Sequence, residues 1–189
     1  MAVDSGRIEA AVAELIAAIG EDPARPGLAD TPRRVAEAYG EFFAGVGADP
    51  LVLLEGGVEL EQGQRGELVL LRDIRFRSVC EHHLLPFVGV AHVAYVPADI
   101  VVGLGRIPRL VELVAARPQM QERLTEQIAD ALHEGLHPQG VLVVVDAVHG
   151  CVTARGVQQA DSSTVTLASR GTLADPVGRA EAMALIGAV

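Results

Sequence analysis

The order of the hydrophobic patterns restricts the fold of this chain more than any other feature. Helical spacing of apolar residues predicts five helices. They cover 5–20, begin at Thr31, begin near Ile107, begin near Pro118, and cover 174–187. Strand-like runs cover 67–77, 87–96, 141–148, 151–157 and 162–169. The strands therefore come in neighbouring groups with helices between the groups. That order predicts an α+β fold with antiparallel strand pairs, because a parallel sheet would need strands and helices in alternation.

The first 50 residues predict a helical region that precedes the strands. The apolar residues of its two helices are Ile8, Val12, Leu15, Ile16 and Ile19, then Val35, Tyr39, Phe42, Phe43 and Val46. A loop rich in Pro and Gly, 20–30, separates them, and Thr31 followed by a proline is typical of a helix start. Residues 55–66 contain four Gly and no periodicity, which predicts a loop. We expect a helical region over 1–50 and a main domain over 51–189.

Composition limits the class of protein. Half of the 189 residues are hydrophobic but only 3% are aromatic, so the core must be aliphatic. A net charge of -10 argues against nucleic acid or a membrane surface as a partner. All 15 basic residues are Arg, so an anion would be bound by guanidinium groups. Two Cys do not make a disulfide framework, and no secretory signal or membrane-length apolar run is present, so we expect a cytoplasmic enzyme or binding protein.

Two short segments concentrate the metal-binding chemistry of the chain. Cys80 is followed directly by Glu81, His82 and His83, and the second cysteine, Cys151, lies two positions after a histidine, His149. On a strand, positions 149 and 151 would point to the same face. Zinc favours thiolate and imidazole ligands, and a catalytic zinc site keeps one position open for water. Two Cys and one of the nearby His would supply three ligands, whereas the alternative is that both Cys are small buried hydrophobic residues.

A competing zinc motif, HEGLH, covers residues 133–137. It matches the H-E-x-x-H pattern of zinc proteases. However, Gly135 lies inside the pattern, Pro138 follows it, and no third ligand occurs at the required spacing, so an ordinary helix end is the better interpretation. A zinc deaminase is also disfavoured, because the P-C-x-x-C half of that pattern is absent and Glu81 is not placed for catalysis by spacing alone.

Four segments, in order over residues 20–170, resemble the GTP cyclohydrolase I family. They read EDPARPGLADTPRRVAEAY, SVCEHHLLPFVGVAHVAYVP, GLGRIPRLVELVAARPQMQERLTEQIADAL and DAVHGCVTARGV. The resemblance implies a T-fold subunit, a ββααββ unit preceded by helices. It also implies a toroidal homodecamer of two pentamers, with active sites at the subunit boundaries.

The resemblance assigns roles to individual residues. The implied zinc ligands are Cys80, His83 and Cys151, and the implied catalytic residues are His82 and His149. The implied substrate-binding residues are Gly105, Arg106, Arg109, Gln121, Glu122 and Arg155. In the family, GTP and water become 7,8-dihydroneopterin triphosphate and formate, the first step of folate and pterin biosynthesis. Water attacks C-8 of guanine while a histidine, here His149, protonates the ring nitrogen, and His82 is the second proton carrier.

The same resemblance gives a role to each substrate contact. One carboxylate, that of Glu122, can accept both the N1–H and the exocyclic amine of guanine, whereas an ordinary solvated helix face is the alternative interpretation of this residue. Arg106 and Arg109, at the start of a predicted helix, and Arg155, four positions after Cys151, match phosphate-binding positions of the family.

The sequence departs from the family pattern at four positions. Gly105 and Arg106 stand where the family usually has Ser and Lys, and the Ser helps with the phosphate and the later sugar steps. Pro108 is unusual, and Val90 stands where a basic residue is common.

Two alternative functions stay open at this point. One is a paralogue that supplies a pterin precursor to deazapurine-type secondary metabolism, and the other is a non-catalytic T-fold protein that binds a purine or pterin.

Overall fold

The N-terminal part of the chain forms a helical unit of its own. A computed structural model describes residues 3–61 and 66–187 of the chain, which divide into two compact units after Ala48. The first unit contains α1 (Ser5–Ala18) and α2 (Thr31–Phe42). Asp4 caps α1 by accepting a hydrogen bond from the Arg7 backbone N–H, and a proline in the first turn of α2 fits the expected helix start.

The second unit carries all the strands that the structure describes. In chain order its elements are β1 (Val58–Glu59), β2 (Val69–Cys80), β3 (Pro86–Val96), β4 (Ile100–Val101), α3 (Arg106–Ala115), β5 (Pro118–Gln119), α4 (Gln121–Leu136), β6 (Gly140–His149), α5 (Gly150–Thr153), β7 (Thr164–Gly171) and α6 (Pro176–Ile186). The long elements follow the order β2-β3-α3-α4-β6-β7. This confirms the α+β prediction and the ββααββ order of the T-fold.

The main sheet has β3 near its centre, and this position determines where the functional segments meet. Its strand order is β5-β2-β3-β6-β7, and every pair is antiparallel except β5 with β2. At the start of β3, Phe87 pairs with Ser78 of β2 on one side and with His149 of β6 on the other. The end of β2 and the end of β6 therefore flank the same short stretch of β3.

The core is aliphatic, as the composition predicts. Helices α3 and α4 cover one face of the sheet, and alternate residues of β6 (Val141, Val143 and Val145) are fully buried against them. The intervening residues Leu142 and Val144 pack on the other face in a second cluster that includes Ile186 of α6. Since β6 is covered on both faces, its apolar run is continuous and does not alternate. No helix within the described ranges has the length and hydrophobicity that crossing a bilayer requires.

Three local predictions were wrong. Residues 151–157 were predicted as a strand, but the chain turns into α5 at Gly150, where an added Cβ would lie 2.8 Å from the Pro86 carbonyl oxygen. Helix α4 begins at Gln121 and not near Pro118, because Pro118 and Gln119 pair with the end of β2. Part of the predicted loop 55–66 forms β1, which pairs with β4, and its residues 62–65 lie outside the described part of the chain.

Candidate metal centre and active site

The first pair of possible metal ligands lies on a tight turn between β2 and β3. Cys80 is the last residue of β2, and its backbone carbonyl accepts hydrogen bonds from the N–H groups of His83 (3.4 Å) and Leu84 (2.8 Å). Leu84 takes a left-handed conformation with φ of 53°, which lets the chain reverse within four residues. The turn brings Sγ of Cys80 to 4.0 Å from Nδ1 of His83.

Cys151 reaches the same place from the end of β6. Its Sγ and the ligand atoms of Cys80 and His83 all lie within 4.8 Å of one another. Zinc–sulfur and zinc–nitrogen bonds of about 2.3 and 2.0 Å put neighbouring ligands of a tetrahedron about 3.5 Å apart, so a small inward movement would suffice. The donor set and the spacing therefore fit a metal ion with three protein ligands. Burial, together with the neighbouring Cys80, raises the pKa of the Cys151 thiol.

Cys151 lies in a helix and not on a strand as the sequence predicts. We expected residues 149 and 151 on one face of a strand, but His149 ends β6 and Cys151 lies in the first turn of α5. The competing HEGLH motif does not form a group of possible metal ligands. Across residues 3–61 and 66–187, the one such group is Cys80, His83 and Cys151. The two histidines of the HEGLH motif are exposed, and His137 ends α4 in a left-handed conformation with φ of 45°.

His149 is held in a fixed plane beside this cluster. Its ring stacks on Phe87 with a centroid distance of 4.6 Å and an interplanar angle of 5°. Its Nε2 lies 2.7 Å from Oε1 of Gln121, the first residue of α4. Burial lowers the pKa of His149, and the nearby Glu122 carboxylate acts in the opposite direction. The structure thus brings His149, Gln121 and Glu122 together, as candidates for proton transfer and base recognition.

Gln121 is buried and its side-chain amide is fully engaged. The side chain is 1% exposed, and Nε2 lies 3.0 Å from the Val145 carbonyl oxygen and 2.7 Å from that of Thr164. A third neighbour is Oγ1 of Thr166 at 3.2 Å. The family resemblance implies a substrate-binding role for Gln121, yet its amide nitrogen already donates to protein acceptors.

The second expected proton carrier, His82, lies in a different environment. Its side chain is 61% exposed on the turn, with Nε2 3.8 Å from Oε1 of Glu81. Arg123 of α4 donates from Nη1 and Nη2 to the two carboxylate oxygens of Glu81 and lowers the pKa of that carboxyl. The Glu81–Arg123 ion pair ties the metal-binding turn to α4 and leaves His82 open to solvent.

The expected phosphate-binding residues lie around the start of α3 and after Cys151. Gly105 is the residue before α3 and is exposed, and Arg109 is exposed one turn later. Arg106 donates from Nη1 to the backbone oxygens of Leu53 and Glu55. Arg155 is exposed and lies close enough to Cys151 to favour its thiolate.

Comparison with known proteins identifies the family. A model of the family described as GTP cyclohydrolase I matches residues 8–187. The chain belongs to the GTP cyclohydrolase I family. It is 65% identical over 184 residues to a GTP cyclohydrolase 1 of Leifsonia xyli subsp. xyli, covering 97% of this chain and 96% of the relative. It is 56% identical over 187 residues to a GTP cyclohydrolase 1 of Carboxydothermus hydrogenoformans, covering 98% and 96%.

A solved structure, the apo form of an archaeosine synthase QueF-Like, also aligns with the chain. The identity is 20% and the TM-score 0.46, over 55% of this chain and 93% of that one.

Membership of the GTP cyclohydrolase I family identifies the chain as an enzyme. Neither the non-catalytic binding protein nor the secondary-metabolism paralogue is favoured by these matches.

Sequence reasoning missed three residues that support the GTP cyclohydrolase I site. The Phe87 ring stacks on that of His149, Arg123 binds Glu81, and Thr166 contacts Gln121. Phe87 belongs to a recognisable strand, but its contact depends on the pairing of β3 with β6, which no local pattern in the sequence reveals. Arg123 follows Glu122 on an exposed helix face, where a charged residue has no distinguishing feature.

Proposed function

We propose that this enzyme converts GTP and water into 7,8-dihydroneopterin triphosphate and formate, as the first step of folate and pterin biosynthesis. The observation that carries the proposal is the convergence of Cys80, His83 and Cys151 next to the stacked ring of His149. The relatives named GTP cyclohydrolase 1, which match nearly the whole chain, support the choice of substrate.

We propose zinc as the metal that Cys80, His83 and Cys151 hold. Two sulfur donors and one imidazole nitrogen are the ligand types that Zn²⁺ prefers, and three protein ligands leave one position for solvent. When bound, zinc supplies an activated water at neutral pH, which is the nucleophile that attack on C-8 of guanine requires.

His149 supports the opening of the imidazole ring as the general acid. Its ring plane is fixed by Phe87, so a proton can be delivered in one direction to the guanine ring nitrogen as attack proceeds. Because burial lowers its pKa, His149 gives up its proton more readily than a solvated histidine does. His82, exposed on the neighbouring turn, is the second proton carrier, for the later rearrangement of the ribose.

Guanine and triphosphate would be bound from two sides. Glu122 is exposed in the first turn of α4, and its carboxylate can accept both donors of the guanine edge. Arg109 and Arg155 are exposed and available for phosphate, and Arg106 would exchange its bonds to backbone oxygens for phosphate oxygens.

Replacing the guanine acceptor tests this arrangement. We expect Glu122→Gln to raise KM for GTP on the order of 10- to 100-fold. The carboxylate can accept hydrogen bonds from both guanine donors, whereas the NH₂ group of the amide would face one of those donors with a donor of its own. Steady-state kinetics of formate release measure the effect. Glu134→Gln, an exposed change on the same helix, is the matched control and should leave KM unchanged. An unaltered KM in Glu122→Gln would assign guanine recognition to another group.

Restoring a hydroxyl before α3 tests the departure at Gly105. An added Cβ at Gly105 meets nothing within 4 Å, so Ser should fit with a stability change within about 0.5 kcal/mol. We expect Gly105→Ser to lower KM for GTP up to about 10-fold, since one hydrogen bond to a charged phosphate is added. Gly103→Ser, equally unobstructed, is the control. Equal KM and equal pterin yield in both variants would exclude a role for the hydroxyl.

The decisive experiment follows both products. Purified, zinc-loaded protein is incubated with GTP, and formate is measured together with dihydropterin absorbance. Equal amounts of formate and dihydropterin support the complete reaction. Formate without pterin would mean that the reaction stops before ring closure, and no formate would favour the non-catalytic binding protein.

The proposal includes a homodecamer in the cytoplasm, with active sites at subunit boundaries. An apolar strip on the sheet face opposite α3 and α4 supports an assembly. Its residues are Val88, Val148, Val165 and Leu167, each at least 39% exposed. We expect native mass spectrometry to give a species about ten times the 19.8 kDa of one chain. A monomer at micromolar concentration would contradict this part of the proposal.

A further inference from the structure

The hydrogen bonds of the Gln121 side chain determine which end of its amide faces His149. Two carbonyl oxygens, those of Val145 and Thr164, lie 3.0 and 2.7 Å from one atom of the Gln121 amide. Carbonyl oxygens only accept hydrogen bonds, so that atom must be the NH₂ group. Oε1 is then the atom that lies 2.7 Å from Nε2 of His149. The reversed amide would place oxygen against two oxygens and is excluded.

Two threonines reinforce this orientation. Oγ1 of Thr125 donates to the Gln121 backbone oxygen at 2.8 Å, so the hydroxyl of Thr166, 2.6 Å away, donates to Thr125. The remaining lone pairs of Thr166 Oγ1 then face the Gln121 NH₂ group at 3.2 Å. Gln121 and Thr125 are each 1% exposed, so water does not compete for these bonds. The amide oxygen of Gln121 is therefore a fixed acceptor.

We propose that Gln121 is a positioning residue that holds the proton of His149 on Nε2, so that Nδ1 is the nitrogen that exchanges a proton with the substrate. An acceptor at Nε2 requires an N–H there in both the neutral and the charged ring, which leaves Nδ1 as the variable position. The Gln121 side chain then acts through His149 and does not contact guanine. This inference rests on the proposed function and assigns one atom to its proton-transfer step.

The test combines a spectroscopic signature with kinetics. In zinc-loaded protein labelled with [¹⁵N]histidine, solid-state NMR identifies the protonated ring nitrogen of each histidine, and the signal missing in His149→Ala assigns His149. We expect the Nε2–H form alone in the wild type. In Gln121→Met, which keeps the length of the side chain but has no amide, we expect a mixture of both forms. The kcat for formate release should fall on the order of 10- to 100-fold, with KM for GTP and zinc content unchanged.

Gln127→Met is the matched control for this substitution. It lies on the same helix, and its amide oxygen accepts a hydrogen bond from Gln119 at 2.8 Å, so its loss perturbs packing without touching His149. We expect its His149 spectrum and kcat to match the wild type. A similar fall in kcat in both variants would mean that the Gln121 effect is only structural.

Two outcomes would overturn the inference directly. A neutral His149 ring in the wild type with its proton on Nδ1 and none on Nε2 would do so whether or not any variant folds. A rise in KM with unchanged kcat in Gln121→Met would make Gln121 a guanine contact instead. The spectra need no substrate, so they remain informative if the wild type releases no formate, a result that would contradict the proposed function and not the hydrogen-bond assignment.

Discussion

Cys151→Ser is expected to yield a folded protein that no longer retains zinc and releases formate at least about 1,000-fold more slowly. The thiolate supplies one of three protein ligands, and a serine hydroxyl is a far weaker zinc ligand at neutral pH. Cys151 lies at the start of α5 and is only partly buried, so the change of one atom should leave the second unit folded. Elemental analysis after gel filtration measures the zinc, and a formate assay measures turnover.

A pair of neighbouring histidines gives this prediction a matched control. His83 and His82 share the exposed turn, but only His83 belongs to the three-residue cluster. We expect His83→Ala to lose zinc in the same way, and His82→Ala to retain it at one ion per chain. Full zinc occupancy in Cys151→Ser, or zinc loss in His82→Ala and not in His83→Ala, would show that the ligand assignment is wrong.

His149→Ala should also lose turnover, but it should retain its zinc. The imidazole belongs to the proton-transfer group and not to the three ligands, so elemental analysis should find normal zinc. Loss of a positioned general acid typically costs 10²- to 10⁴-fold, and we expect formate release to fall at least about 1,000-fold at saturating GTP. Rapid-quench measurement of formate in a single turnover separates this step from product release.

His133→Ala is the control for loss of an imidazole. His133 lies on α4 and is exposed, and within the described ranges it belongs to no metal group. We expect wild-type kinetics of formate release, because this imidazole lies outside the proposed site. If His149→Ala kept its activity, the general acid would have to be another residue, with His82 the first to examine.

Local patterns in the sequence predicted most of the elements because those elements are amphipathic. Ile74 and Phe76 are buried and alternate with exposed Asp73 and Arg75, as the expected strand requires. The same local reasoning failed after His149, where apolar residues suggested a strand. Burial and strand pairing are set by neighbours in space. Gly150 lies so close to the Pro86 carbonyl oxygen that an added Cβ would be 2.8 Å from it, and the chain continues from there as α5.

What the sequence determined by itself was the order of elements, the aliphatic core and the residue types available for metal chemistry. The family resemblance supplied roles for individual residues, and those roles remain predictions. Only the tertiary structure decided that residues 80–83, 149–151 and Gln121 meet at one end of β3, and that Gln121 is turned toward His149. The physical reason is that strand register and buried hydrogen bonds join positions far apart in the chain, whereas hydrophobic periodicity reports only on neighbours a few residues away.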